Sequence, residues 1–245
     1  MRPLSDTDML LAWERGRIAA RCESGPLSLL LATYPDENYD ALARLSIGRR
    51  DNLLLALREQ LFGAEIVALS NCKACQHILE IHLHSSDLKS DMRDKSAELF
   101  SLDRSGFHLE FRLPNSLDLI AISDSDSVAT GRLRLLERLI SSSLHRDLPV
   151  GIEEIPEHIL QMVESRLAEE DPHADLQINA VCSSCETLNE TILDIGYFLC
   201  KEVDHWAIRL LREIHELARA YGWAERDILK MSSWRRHCYM EMLGA

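Results

Sequence analysis

The chain has 245 residues, room for one large domain or two small ones. Its 46% apolar content supports a buried core and is too low for a membrane protein, and its longest apolar runs, such as residues 27–32, fall far short of a bilayer span. A formal net charge of -13 argues against a phosphate-backbone ligand, because the one dense basic cluster, Arg235-Arg236-His237, is surrounded by acidic residues.

Residues 8–20 read as a helix, with Ser5, Asp6 and Thr7 available to cap it and Leu10, Leu11, Trp13 and Ile18 on its apolar face. After a break at 22–26, residues 27–33 and 39–45 read as short helices. Residues 50–62 are clearer: Leu53, Leu54, Leu57 and Leu61 recur at helical spacing, and Gly63 suits the left-handed position just past the end. Residues 65–69 and 78–84 suit two strands flanking Cys72-Lys73-Ala74-Cys75. Residues 85–106 read as a polar loop with a weak helix near 96–100. Residues 107–113 alternate strictly and predict the best strand, ended by Pro114. Asn115 or Ser116 then caps a short helix through Ile122. Residues 128–142 and 156–169 predict helices, the second with Pro156 in its first turn. Residues 176–181 and 188–195 predict strands around Cys182-Ser183-Ser184-Cys185. A long helix over 197–221 stops at Gly222, and a helix pair over 223–231 and 233–243 closes the chain.

The expected fold is therefore mainly α with a small β zinc-ribbon-like module, an α+β protein in which a helical insert joins two strand–Cys-x-x-Cys–strand knuckles. Its regions are an N-terminal helical part (1–64), a first knuckle (65–84), an insert with one strand and helices (85–174), a second knuckle (175–195) and C-terminal helices (196–245).

Four of the seven cysteines fall in the two pairs, while Cys22, Cys200 and Cys238 stand alone. An odd count in a chain of this length does not suit a secreted disulfide scaffold, and the N-terminus lacks a signal-like apolar stretch, so the expected location is cytoplasmic. A Cys-x-x-Cys turn lets two thiolates reach one metal from a tight loop, and two such turns complete a four-sulfur shell. Cys72, Cys75, Cys182 and Cys185 are accordingly the candidate ligands of one structural zinc per chain. The usual zinc ribbon separates its pairs by about 15–20 residues; here more than a hundred intervene, and the repeated strand context keeps the assignment. Three alternatives stay open. One is a redox dithiol, although that motif normally opens a helix. Another is a separate metal at each pair, using His77, His82, His84 or His173. The last is free thiols. Four cysteines would close the shell, whereas a catalytic zinc needs an open position.

No glycine-rich phosphate loop, Gly-x-Ser-x-Gly elbow or His-Glu-x-x-His motif occurs, so no catalytic residue is assigned and the protein is expected not to be an enzyme. His215-Glu216 lacks the second histidine and reads as a solvated helix face. The C-terminal helix pair could present an aromatic and methionine-rich surface to a partner through Trp223, Ile228, Arg235, Arg236 and Tyr239, or simply pack as a hairpin.

Four stretches, in order, carry a resemblance spread over nearly the whole chain. They are Leu45-Ser46-Ile47-Gly48-Arg49-Arg50-Asp51 leading into the 53–63 helix; the first cysteine pair with Glu80 downstream; Phe111-Arg112-Leu113-Pro114-Asn115-Ser116-Leu117-Asp118-Leu119; and Tyr221-Gly222-Trp223 through Tyr239-Met240-Glu241-Met242-Leu243. In these the chain resembles the T4-type phage baseplate hub assembly proteins, also found in phage-like contractile injection systems. The resemblance implies a non-enzymatic assembly chaperone or minor structural component, with hub, spike or baseplate proteins as partners and possible incorporation into a particle. It does not extend to a long-range zinc link, which rests on this sequence alone. The competing functions are a zinc-ribbon adaptor in transcription or RNA metabolism, which requires a basic face, and a Cys-x-x-Cys thiol-disulfide protein.

Overall fold

A computed structural model of the chain describes residues 2–18, 24–89 and 98–244. Helix α1 (Asp6–Ile18) packs on α2 (Ser24–Thr33), and the short α3 (Tyr39–Ala43) leads into α4 (Ile47–Phe62). Ser5 caps α1 by accepting the Asp8 amide at 3.1 Å, and the Asp8 carboxylate accepts the Ser5 amide in return. Ser46 caps α4, accepting the Arg49 amide at 3.3 Å, so this helix begins at Ile47, three residues before the expected start at residue 50. Gly63 ends it at φ +90° but with ψ 178°, an extended conformation open to glycine rather than the expected left-handed one.

Strands β1 (Glu65–Asn71) and β2 (Ile78–His84) form an antiparallel hairpin in register from Glu65 opposite His84 to Asn71 opposite Ile78. Its inner face places Ile66, Leu79 and Ile81 in the core. After the single turn of α5 (Ser85–Leu88) comes a four-stranded antiparallel sheet in simple order: β3 (Leu99–Arg104), β4 (Phe107–Arg112), β5 (Ile140–His145) and β6 (Leu148–Pro149). Helices α6 (Ser116–Ile122) and α7 (Val128–Leu139) lie between β4 and β5, and α8 (Glu157–Glu170) follows β6. A second hairpin, β7 (Gln177–Val181) and β8 (Leu188–Ile192), precedes the 27-residue α9 (Ile195–Tyr221) and the closing pair α10 (Glu225–Leu229) and α11 (Ser233–Gly244).

The α+β class agrees with the sequence, and the largest differences lie in the insert, whose described residues carry four strands where periodicity predicts one. Residues 99–100 belong to β3 rather than to a helix, and residues 96–97 lie outside the described part. The helix over 128–142 stops at Leu139, and Ile140 opens β5 without a loop. Three serines follow Ile140, short polar side chains that favour bonds to backbone over helix continuation. Ser141 and Ser143 donate to the Glu110 and Val150 carbonyls, the latter at 2.6 Å. Two tight turns hold the sheet. Ser105 and Gly106 both have positive φ (53° and 79°), as do Arg146 and Asp147 (51° and 65°), the hallmark of two-residue hairpin turns whose twist matches the strands. Strand β8 ends at Ile192 rather than 195, because Leu193 donates back to Leu176 and Asp194 caps α9 through the Tyr197 amide.

Among the described residues, three apolar clusters organise the fold. One joins α1, α2, α4, the N-terminal half of α9 and the inner faces of both knuckle hairpins. A second is internal to the insert, with Phe107, Leu109, Phe111, Leu136, Ile159 and Val163 buried together. A third lies between the C-terminal half of α9 and the closing hairpin, around Leu210, Leu217 and Ile228. The insert meets the helical body through two of the segments named above. Ser46 bridges to Asn115 in antiparallel fashion, the Ile47 amide donates to the Pro114 carbonyl at 3.1 Å, and Arg50 donates to the Ser116 hydroxyl at 3.2 Å. On the same helix turn the Gly48 amide donates to the buried Asp171 carboxylate at 2.9 Å, where any side chain on residue 48 would collide with that carboxylate.

Candidate metal centre

The two knuckles are built alike, 110 positions apart in sequence. In the first, the Cys72 amide donates to the His77 carbonyl at 2.8 Å, the Gln76 amide donates to the Cys72 carbonyl at 2.9 Å, and Gln76 takes φ 60°. In the second, Cys182 donates to Thr187 at 3.0 Å, Glu186 donates to Cys182 at 2.9 Å, and Glu186 takes φ 59°. The tight turn aims both sulfurs of each pair to one side. Cys72 and Cys182, the first of each pair, are fully buried, and Cys75 and Cys185 are exposed.

The pairs converge. All four sulfurs lie within 4.8 Å of one another, with Cys72 Sγ 3.6 Å from Cys185 Sγ and Cys75 Sγ 3.7 Å from Cys182 Sγ. Sulfurs held about 2.3 Å from a tetrahedral zinc sit about 3.8 Å apart, so the donor set has the size and chemistry of such a shell. It is far wider than the ~2.05 Å of a disulfide. Among the described residues this is the one group of three or more His, Cys, Asp or Glu side chains placed to hold a metal ion. His82 instead meets Glu80 at 3.1 Å, and His84 meets the Ser86 hydroxyl.

The surroundings treat the four thiols unequally. Backbone amides of Cys75 and Ala74, with the Cys185 and Asn189 side chains, bring the Cys72 thiol down to about 6 despite burial. The Thr187 hydroxyl and amide lower Cys185. At Cys75 the His77 amide favours the thiolate, but hydrogen bonding to Cys185, burial and the other sulfurs prevail and push it up to about 12. Four sulfurs this close cannot all be anionic without a cation between them.

Asn189 joins the halves, and the sequence reading missed it. It is buried on the inner face of β8; its Oδ1 accepts the Lys73 amide of the other knuckle at 2.9 Å, while its Nδ2 donates to the Thr187 carbonyl at 2.8 Å and points at Cys72 Sγ from 3.6 Å. The signal was a polar residue at an inward position of an alternating strand, where the first copy has Leu79.

The C-terminal candidates divide. Ile228 is fully buried, and Arg236 is 3% exposed, bonded to Asp6, Glu213 and the Met231 carbonyl, so both belong to the packed interior of the hairpin. Trp223 stacks on Tyr221 at 4.5 Å and meets Tyr239 edge-on, and only Arg235 of the five is exposed, lying over the Tyr239 ring. Of the basic cluster in the sequence, Arg236 is paired with Asp6 and Glu213 and His237 faces Glu241, while among the described residues the Arg235 side chain has only the Tyr239 ring and hydroxyl beside it.

The fold and the sulfur cluster define a class: a helical α+β protein whose two knuckles, more than a hundred residues apart, close on one another. The particular family follows from comparison. Residues 27–199 match the family described as T4 bacteriophage base plate protein, and the chain belongs to that family. The match takes in both knuckles and the whole insert. No curated protein and no solved structure matched the chain. No helix among the described residues is long and apolar enough to cross a membrane.

Proposed function

We propose that the protein is a non-enzymatic assembly factor or minor structural component of the baseplate hub in a contractile phage tail or phage-like injection system, and that its four cysteines hold one structural zinc. Family membership supports the baseplate setting. The observation that carries the structural reading is the convergence of two knuckles, distant in sequence, on a closed four-sulfur shell. Such a shell leaves no open coordination position for a substrate. Its effect is to fasten the hairpin before the insert to the hairpin after it, so metal binding energy becomes folding energy.

Hub, spike or other baseplate proteins are the expected partners. Tagged protein captured from cells that assemble the particle should enrich them; enrichment of polymerase or ribosomal proteins would favour the zinc-ribbon adaptor instead. Protein purified without chelator should contain about one equivalent of zinc. A content far below that, with a reactive thiol in either pair, would favour thiol-disulfide chemistry.

A further inference from the structure

We propose that the outer face of α9 is a docking groove for an acidic amphipathic helix of a partner protein; that the partner belongs to the baseplate rests on the function proposed above. Two adjoining hollows of about 580 and 270 Å3 run along this face and share Ile208 and Arg212. The groove starts at Phe62 and Glu202 and ends at His215 and Glu216. That stretch of α9 is about 21 Å long, four turns of a docked helix.

The chemistry of the groove selects its occupant. Phe62, Ile208 and Leu211 supply the apolar part, with Ile208 40% and Leu211 37% exposed. The carboxylates along it already have cationic partners in this chain: Glu202 is held by two Arg58 nitrogens at 2.8 and 3.0 Å, and Glu216 meets Arg219 at 3.2 Å on the surface. Arg209 and Arg212, one turn apart, have no hydrogen bond or ion pair among the described residues. An otherwise acidic protein thus offers two uncommitted guanidiniums beside an apolar strip. A helix with carboxylates along one flank and aliphatic side chains along the other complements both features. A nucleic-acid backbone would satisfy the arginines and leave Ile208 and Leu211 unused. Apart from Phe62, the groove lies C-terminal to the residues matched by the family, and it shares no residue with the sulfur cluster.

The test is a photo-activated benzophenone side chain at position 211 of the full chain, in cells assembling the particle, with the cross-linked peptide sequenced. The expected product is a peptide from another baseplate protein with carboxylates and apolar residues at three- and four-residue spacing. Its yield should fall at least tenfold when Arg209→Glu and Arg212→Glu are added, and should survive Arg209→Lys with Arg212→Lys, each variant melting within about 2 °C of the parent. A product from a second copy of this chain, a nucleic-acid adduct, no product, or a yield insensitive to charge reversal overturns the proposal. If wild-type and charge-reversed proteins capture the same baseplate proteins equally, the groove fails while the baseplate function stands. If the wild type captures none, the proposed function itself fails.

Discussion

Asn189 and Cys182 do different work at the sulfur cluster, and substitution should separate them. Cys182 is a buried donor whose loss opens the shell and leaves three sulfurs crowded around it. Cys182→Ser should cost at least about 4 kcal/mol, which for a chain of this size is on the order of 8–16 °C in melting temperature, with metal content well below one equivalent. Asn189 holds the cluster from outside by linking Lys73, Thr187 and Cys72. Leucine, nearly its shape, occupies the matching place in the first knuckle, so Asn189→Leu should fold and still bind one zinc. Its affinity should drop about 10–100-fold, the usual consequence of losing a partner that orients a metal ligand, as read by competition with a chromogenic chelator. An unchanged affinity would mean that Asn189 merely packs.

Strand β4 and helices α6 and α7 are tied by one carboxylate. Asp118 has a fully buried side chain, accepts both Arg112 nitrogens at 2.6 and 2.9 Å and Arg138 at 3.0 Å, and completes a reciprocal cap with Asn115 at the start of α6. Burial opposes its charge, but the Arg112 bonds, the Asn115 amide and Arg138 outweigh burial and hold the carboxyl below its ordinary value of 3.8. The folded state therefore gains stability from this group above that ordinary value and loses it as pH falls through the lower folded value. Asp118→Asn should be less stable than wild type by about 2–3 kcal/mol at neutral pH, below the cost for a fully buried pair because both arginines are partly solvated. Urea denaturation at a series of pH values should find that difference constant down to about pH 4 and shrinking below it. A neighbouring test concerns the joint between body and insert. Gly48→Ala would force a methyl into the Asp171 carboxylate and should cost about 1–3 kcal/mol by overpacking. At this scale the sequence was unevenly legible. The strand over 107–113, a cap among Ser5, Asp6 and Thr7, a cap at Asn115 or Ser116, the stop at Gly222 and both knuckles could be read because each depends on neighbours in the chain. Strands β3 and β5 could not. Their pairing to β4 supplies the order, and their serines blur the alternation. The cysteine spacing likewise pointed to the four sulfurs that the fold brings within 4.8 Å of one another, whereas Asn189, Arg50 with Ser116, and Gly48 with Asp171 acquire their roles from contacts across 66 to 123 positions.

Over the whole molecule the sulfur cluster and the insert are separate sources of order. The insert has its own apolar cluster, its own sheet and its own buried carboxylate, none of them built on the sulfurs. The knuckle hairpins are two-stranded, and hairpins of that kind are marginal in water unless something else fastens them. Here that fastening comes from the inner-face packing of Ile66, Leu79, Ile81 and Ile178 and from the proposed zinc. Removing the metal leaves the packing but releases the closure of a loop of more than a hundred residues, whose entropy grows only slowly with length and so is not made prohibitive by the insert. Chelation should therefore act locally first. Hydrogen exchange on the full chain, with and without a strong zinc chelator, should show amides of β1, β2, β7 and β8 losing protection by at least tenfold, while β4 and α8 keep theirs. Uniform loss across all of these elements would mean that body and insert unfold as one cooperative unit, and that the contacts of Ser46, Gly48 and Arg50 couple them more tightly than their separate cores imply.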